Sequence, residues 1–263
     1  HLFFWAAGPE GGLFRLTLAD EKVKQIIKLP GIHMRGRGGI DYEWSPDMKW
    51  IAYTTRTGSG SVNIWVIPAE GGKPENITRL NAFHSQARWS PDGKYIYFQS
   101  DRSGSGLYRV ALQPDTFRAK DTDETYKRPS KPVEIKIDFE GISERIQKVS
   151  STSPSSDLTI TKAGQIFFLS GGNVYRLSYN GRESKKLTTD GGRVALRVLS
   201  SGRGATFIKS GDMYLMKLDS GAAQKTTFTA DWVKDTYAQR TAALYQFWKT
   251  YHHRFYDSNF HGR

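Results

Sequence analysis

This sequence predicts an all-β fold, a β-propeller of four-stranded blades followed by a C-terminal α-helix, and three observations predict it. The tetrapeptide Trp-Ser-Pro-Asp occurs at Trp44–Asp47 and again at Trp89–Asp92, and each copy is followed by the same succession of residue types. The two copies start 45 positions apart (89 − 44), within the roughly 40–50 residue period of propeller blades. Weaker copies without the tetrapeptide continue the array on both sides.

Within a copy the elements follow in order. After Trp44 comes an alternating run, Trp50-Ile51-Ala52-Tyr53-Thr54, then a Gly/Ser loop from Thr57 to Ser61, then Val62-Asn63-Ile64-Trp65-Val66-Ile67. After Trp89 the same order returns as Tyr95-Ile96-Tyr97-Phe98-Gln99, the loop Arg102 to Gly106, and Leu107-Tyr108-Arg109-Val110-Ala111-Leu112. Period-two alternation of aromatic and β-branched residues between turn clusters marks half-buried strands. Ser90-Pro91-Asp92-Gly93 is a β-turn sequence: proline fixes φ, the Ser and Asp side chains bond nearby backbone, and Gly93 tolerates φ > 0. Met48 stands where Gly93 does, so the first turn must avoid φ > 0 there or carry strain.

The third copy has Gly164 at the turn, then Gln165-Ile166-Phe167-Phe168-Leu169, the Gly171-Gly172 loop and Val174-Tyr175-Arg176-Leu177. A further copy runs through Gly202, Ala205-Thr206-Phe207-Ile208, Ser210-Gly211-Asp212 and Met213-Tyr214-Leu215-Met216. The chain opens inside such a unit, with Leu2-Phe3-Phe4-Trp5 and Leu13 to Leu18 as middle strands, so the true N-terminus is expected to lie upstream. A polar turn and a short run ending near Leu/Ile-Thr close the units, as at Gly71 to Thr78, Asn180 to Thr188 and Ser220 to Thr227, with Ala19 to Ile27 as the N-terminal member. About five units result, the first incomplete, bounded near residues 30, 82, 150 and 190. The domain expectation is a propeller over 1–230 and the helical start of a second domain over 231–263.

Two segments break the repeat. Arg118 to Val149 is extra; Lys120 to Pro132 reads as an exposed excursion, Val133-Glu134-Ile135-Lys136-Ile137-Asp138-Phe139 as a strand, and Glu140 to Arg145 as a turn into the next blade. After Ala230 the period becomes helical, through Trp232, Tyr237, Thr241, Leu244, Tyr245, Trp248, Tyr251 and Phe255, with Asp231 as expected N-cap and Asp235 in the early helix. So dense an aromatic stripe needs a partner, either a propeller edge or the rest of a second domain.

Composition sets bounds. With 38% hydrophobic and 13% aromatic residues the chain can bury a substantial core, and it has no apolar run long enough for a membrane-spanning helix. Zero cysteines exclude disulfides and thiol chemistry and are compatible with cytoplasm or periplasm. The net charge of +12 invites a nucleic-acid reading, but Arg35, Arg37, Arg118, Lys120, Arg182, Lys185, Lys186, Arg193, Arg197 and Arg203 are scattered and no recognition motif organises them, so no nucleic-acid partner is expected.

No catalytic, cofactor or metal site is assigned. Ser59, Ser61 and Ser105 sit in Gly/Ser turns rather than in a Gly-x-Ser-x-Gly elbow. His252 and His253 are adjacent and so point to different sides of a helix, no His-Glu-x-x-His is present, and His261 before Gly262 reads as a cap or packing residue. Asp47 and Asp92 read as turn formers, and Asn76-Ile77-Thr78 is a formal glycosylation sequon.

The blades with Trp-Ser-Pro-Asp, the segment Ile135-Lys136-Ile137-Asp138-Phe139-Glu140-Gly141-Ile142 followed by Arg145, and a helix leading to Phe255-Tyr256-Asp257 and His261-Gly262 together resemble tricorn protease and its bacterial tricorn-like relatives over nearly the whole chain. The blade motif is shared with TolB-type propellers and prolyl oligopeptidases. The resemblance implies a serine peptidase in which the propeller admits or positions peptides or protein substrates, with the remaining domains of the same protein, and in some assemblies further copies of it, as partners. In that family the catalytic histidine and serine lie beyond the helix, so none falls in this chain. The alternatives are a TolB-like interaction scaffold and a prolyl-oligopeptidase-type enzyme, which residues beyond Arg263 would tell apart.

Overall fold

The computed structural model describes residues 2–6, 10–28, 41–57, 60–118, 126–229, 231 and 233–254, which fall into two units, 1–226 and 227–263. The first unit is five consecutive antiparallel sheets. The first sheet holds β1 (Leu2–Ala6), β2 (Gly12–Thr17) and β3 (Lys22–Lys28), and the second β4 (Tyr42–Trp44), β5 (Trp50–Thr57), β6 (Ser61–Pro68) and β7 (Glu75–Asn76). The third holds β8 (His84–Trp89), β9 (Tyr95–Ser100), β10 (Gly106–Ala111) and β11 (Ile146–Ser150). The fourth holds β12 (Ser156–Ile160), β13 (Ile166–Ser170), β14 (Asn173–Leu177) and β15 (Ser184–Lys186). The fifth is β16 (Arg193–Val198), β17 (Gly204–Lys209), β18 (Asp212–Lys217) and β19 (Ala223–Lys225). Each sheet is an up-and-down meander in chain order, the signature of a propeller blade.

The alternation in the second strands explains why the blades stack. Ile96 and Phe98 point to the second blade, packing with Ala52, Ile64 and Val66, whereas Tyr95 and Tyr97 point to the fourth, against Leu158, Ile166 and Phe168. One blade on, Ile166 and Phe168 look back while Phe167 and Leu169 look forward to Leu196 and Phe207. Successive side chains alternate faces, so a run of consecutive apolar residues feeds two seams at once. Leu13, Ile26 and Ile27 form the first seam with Ile51, Tyr53 and Ile67.

The turns between first and second strands share one design. Ser45 Oγ donates to Asp47, which accepts the Lys49 N–H, and Trp50 N donates to Ser45 Oγ; Ser90, Asp92, Lys94 and Tyr95 repeat these bonds at 2.7, 3.2 and 2.9 Å. Gly93 has φ 70° and Gly164 φ 75°; Met48 adopts φ 60° and carries the strain its sequence position implied.

Three expectations are corrected. Val133 to Phe139 is not a strand among the described residues: its polar backbone is satisfied by turns and side chains, with Ile135 N donating to Asp47, Asp138 N to Leu112 O and Gln113 Nε2 to Lys136 O, while Ile135 is buried and Val133, Ile137 and Phe139 pack on the core. Alternation there serves packing across two blades rather than ladder pairing. The following turn, Ile142–Arg145, does not lead to the next blade; it returns the chain to β11, which closes the third blade. Arg145 fixes that return by donating to the carbonyls of Ala111, Glu140 and Asp138. In the excursion before it, 119–125 lie outside the described residues, and Tyr126 is partly buried with its ring 4.9 Å from Tyr179.

The second unit contains one described helix, Thr236–Arg254; with α1 at Pro114–Arg118, it is α2. Its N-cap is Asp235, not Asp231: the Asp235 carboxylate accepts from the N–H groups of Tyr237 and Ala238 at 3.0 and 2.9 Å, the N2 and N3 donors that a cap satisfies. Trp232 and Phe255 fall outside the described residues.

Candidate functional site

The first strands of four blades, β4, β8, β12 and β16, line a cavity of about 1010 Å³ whose wall includes Asp41, Arg88, Gln99, Ser156, Asp157 and Arg197. Aligned on their turns, the blades put Asp41, Gln86, Asp157 and Ala195 at one level, four residues before Ser45, Ser90, Thr161 and Leu199, and Glu43, Arg88, Thr159 and Arg197 two residues further along. Gln86, Asp157 and Ala195 have φ of 57°, 57° and 55°, and each sits in a register break between the first and second strands. A bulge of this kind turns a backbone N–H out of the ladder.

The freed donors are taken by the preceding blade. Gln86 Oε1 accepts the Leu158 N–H at 2.9 Å, and Asp157 Oδ2 accepts the Leu196 N–H at 3.1 Å. Arginines donate in the same direction: Arg88 Nη1 reaches both oxygens of Asp41 at 3.0 Å, and Arg197 Nη1 reaches Asp157 at 2.9 Å. Arg88 also donates to Leu158 O at 2.8 Å, so one guanidinium ties three blades together. The left-handed bulges at Asp157 and Ala195 thus have a structural purpose, since each aims the next residue's N–H at the preceding blade.

Glu43 occupies the same level as Arg88. Its carboxylate accepts the Trp89 N–H at 2.7 Å, and Trp89 Nε1 returns a bond to Glu43 O. Burial pushes Glu43 up to about 7 against the opposing pull of Arg88 and the Trp89 N–H, so it changes charge near neutral pH. Behind the wall, His84 is fully buried with its ring edge-on to Phe98 at 5.5 Å, and burial, helped by Arg102, lowers it to about 4. It is neutral at physiological pH.

No protein-family model matches the chain. Among solved structures, the tricorn protease aligns over 95% of this chain with a TM-score of 0.69 and 15% identity, TolB from Acinetobacter baumannii over 87% with 0.57 and 19%, and a puromycin-hydrolyzing peptidase from Mycobacterium tuberculosis over 89% with 0.53 and 12%. The fold is a tricorn-like propeller. At these identities the likeness concerns architecture, and the chain spans only 28% of the tricorn protease, 53% of TolB and 37% of the peptidase.

Within the tricorn-like propeller the residues weighed as catalytic candidates do not converge. Ser61 is buried in β6 and Ser105 Oγ donates to Ser153 Oγ at 2.8 Å, while Ser59 and His261 lie outside the described residues. His252 is exposed on α2, and the side chain of His253 is not described. Asp47 and Asp92 are turn formers that also bridge: Asp47 accepts the Ile135 N–H, and Asp92 accepts the Tyr179 hydroxyl through both oxygens. Asn76 of the sequon spends its side-chain oxygen on the N–H groups of Thr78 and Arg79. Two of the scattered cations are engaged internally, Arg193 over the Phe207 ring at 5.0 Å and Arg197 with Asp157. Among the described residues no group of three or more His, Asp or Glu could hold a metal.

Of the wall residues, the sequence reading singled out Arg197 alone, and as a surface charge. The signal that finds them is positional: the residue before Trp44 is Glu43 and before Trp89 is Arg88, and each first strand carries at least one charge there or two residues earlier, as at Asp41, Asp157 and Arg197.

Proposed function

We propose that this chain is the propeller of a tricorn-type serine peptidase, and that its axial cavity admits and positions peptides for a catalytic domain formed by other residues. The wall of that cavity carries the reading. It presents carboxylates and arginines in fixed alternating pairs, Asp41 with Arg88 and Asp157 with Arg197, beside hydroxyl and amide groups such as Ser85, which donates to Gln99 at 2.8 Å. A peptide exposes amide donors and acceptors along its length and opposite charges at its ends, so a wall offering both signs suits it better than a wall of one sign. Arg197, whose side chain is 70% exposed, is the member of the pairs most available to a passing chain. Catalysis is assigned to no residue here.

A second reading, a TolB-like propeller acting as an interaction scaffold, draws on the TolB likeness over 87% of the chain. Fluorescence anisotropy with labelled short peptides separates the two. The expected result is binding that weakens several-fold in Arg197→Ala and with rising salt, and no peptide cleavage by the purified chain. Measurable peptide hydrolysis would overturn the assignment of catalysis to other residues, and folded protein that binds no peptide would transfer support to the scaffold.

A further inference from the structure

Three blades place an arginine at one equivalent position. Phe4 pairs with Phe14, Phe98 with Tyr108 and Phe168 with Tyr175 across the middle strands, and the residue that follows is Arg15, Arg109 and Arg176 in turn. The other two blades have Val66 and Leu215 there, after Trp65 and Tyr214. In blades one and four the residue directly opposite on the outer strand is a lysine, Lys24 and Lys185. Like charges facing each other across a ladder destabilise it, so each pair calls for an anion.

Blade one takes its anion from its neighbour. Glu70, in the turn between β6 and β7 of blade two, accepts from Arg15 Nη1 at 2.6 Å, and its main-chain oxygen accepts from Lys24 Nζ at 2.7 Å. The bond from Arg15 holds the Glu70 carboxyl below the usual carboxylate range. Blade three answers Arg109 differently, with the centroid of the Tyr95 ring 4.0 Å from the guanidinium and the Tyr97 hydroxyl oxygen accepting at 3.4 Å.

Blade four receives neither answer. The matching turn is that of blade five between β18 and β19: a Cβ on Gly221 would meet the Leu187 carbonyl as one on Gly71 would meet that of Ile26, each two residues beyond its lysine. The residue before the glycine is Glu70 in one seam and Ser220 in the other. The Asp219 carboxylate beside it accepts the Ser220 N–H. Among the described residues the side chains of Arg176 and Lys185 make no ion pair or hydrogen bond. Both line a cavity of about 1000 Å³, with Arg182 as a third cation and Glu183 as its one carboxylate. Two cations, open space and a serine in the glutamate's place match an acidic group and mismatch a neutral or basic one.

We infer that Arg176 and Lys185 of blade four bind a glutamate of an acidic partner peptide, its carboxylate accepting from Arg176 and its main-chain oxygen from Lys185, as Glu70 does at blade one. The use of a main-chain oxygen beside the carboxylate favours a peptide over a free anion. The site lies on third and outer strands and does not depend on the peptide reading of the axial cavity.

NMR titration of the isotope-labelled full chain with the capped tetrapeptide Ala-Glu-Gly-Gly, the sequence of residues 69–72, followed at the Gly221 amide signal, tests it. A saturable shift is expected, with the glutamine analogue binding about tenfold more weakly and a similar loss in Arg176→Ala. Ser220→Glu fills the site from within. It should abolish the peptide response and raise the thermal midpoint by about 1–3 °C in dilute buffer, a gain that vanishes at about 1 M salt, which separates loss of the site from loss of the fold. No response to the peptide, equal binding of the glutamine analogue, acetate binding as tightly as the peptide, or undiminished peptide binding in Ser220→Glu would overturn the inference.

Discussion

The two Trp-Ser-Pro-Asp units begin alike and are used differently. Both turns make the same serine–aspartate bonds, and in both the residue after the aspartate adopts φ > 0, at 60° for Met48 and 70° for Gly93. The remaining carboxylate oxygens then diverge, Asp47 holding the backbone of Ile135 and Asp92 holding the hydroxyl of Tyr179 from blade four. Before the tryptophans the difference is one of charge, Glu43 against Arg88. A repeated sequence thus fixes a repeated turn, while each copy's neighbours decide what its spare polar atoms do.

The largest test of this contrast is Gly93→Ala. A Cβ there would lie 2.7 Å from Val133 Cγ1 and 2.8 Å from Ile135 Cγ1, on a backbone that disfavours side chains. Steric overlap and left-handed strain together should destabilise the chain by about 3 kcal/mol in urea unfolding. A loss below about 1 kcal/mol would mean that the Val133–Phe139 segment is not tightly seated on this turn.

Glu43→Gln comes next, and its effect depends on pH. Because the folded value is raised to about 7, the folded chain binds the Glu43 proton more tightly than the unfolded chain. The contribution is therefore complete below about 4.5 and is lost as pH rises through 7. The variant should match the parent near pH 4.5 and exceed it by about 1–3 kcal/mol at pH 8, where the parent must keep a buried carboxylate charged. Parallel stability–pH curves for the two proteins would show that Glu43 is ionised throughout.

The smallest effect is Met48→Gly. Met48 is 59% exposed, so little packing is lost, and the relief of left-handed strain should raise stability by about 1 kcal/mol. No gain would indicate that the flexibility glycine adds to the unfolded chain offsets the strain it removes.

The blades and their turns were legible because their determinants are close in sequence. Alternation marks strands such as Tyr95–Ser100 within six residues, and the Ser90, Asp92 and Gly93 turn closes within five. The segment Val133–Phe139 misled because period two records two-sided burial, which a ladder produces and a chain crossing two blades also produces. Asp235 rather than Asp231 caps α2 because the cap is chosen by which aspartate meets the first free N–H groups, a matter of one turn that periodicity does not resolve. The axial wall was illegible for another reason. Its pairs join residues 39 to 72 positions apart, as in Asp157 with Leu196 and Gln86 with Leu158, and nothing local to either partner announces the other.

The sequence alone determined the repeat, the strand–turn order within it and the all-β class, since each follows from backbone sterics and side-chain alternation over a few residues. Only the tertiary structure decided which charges meet at the axis and which bulge donors are satisfied across a seam. Those outcomes depend on how one sheet is placed against the next, and that placement comes from the packing of both faces of every blade at once.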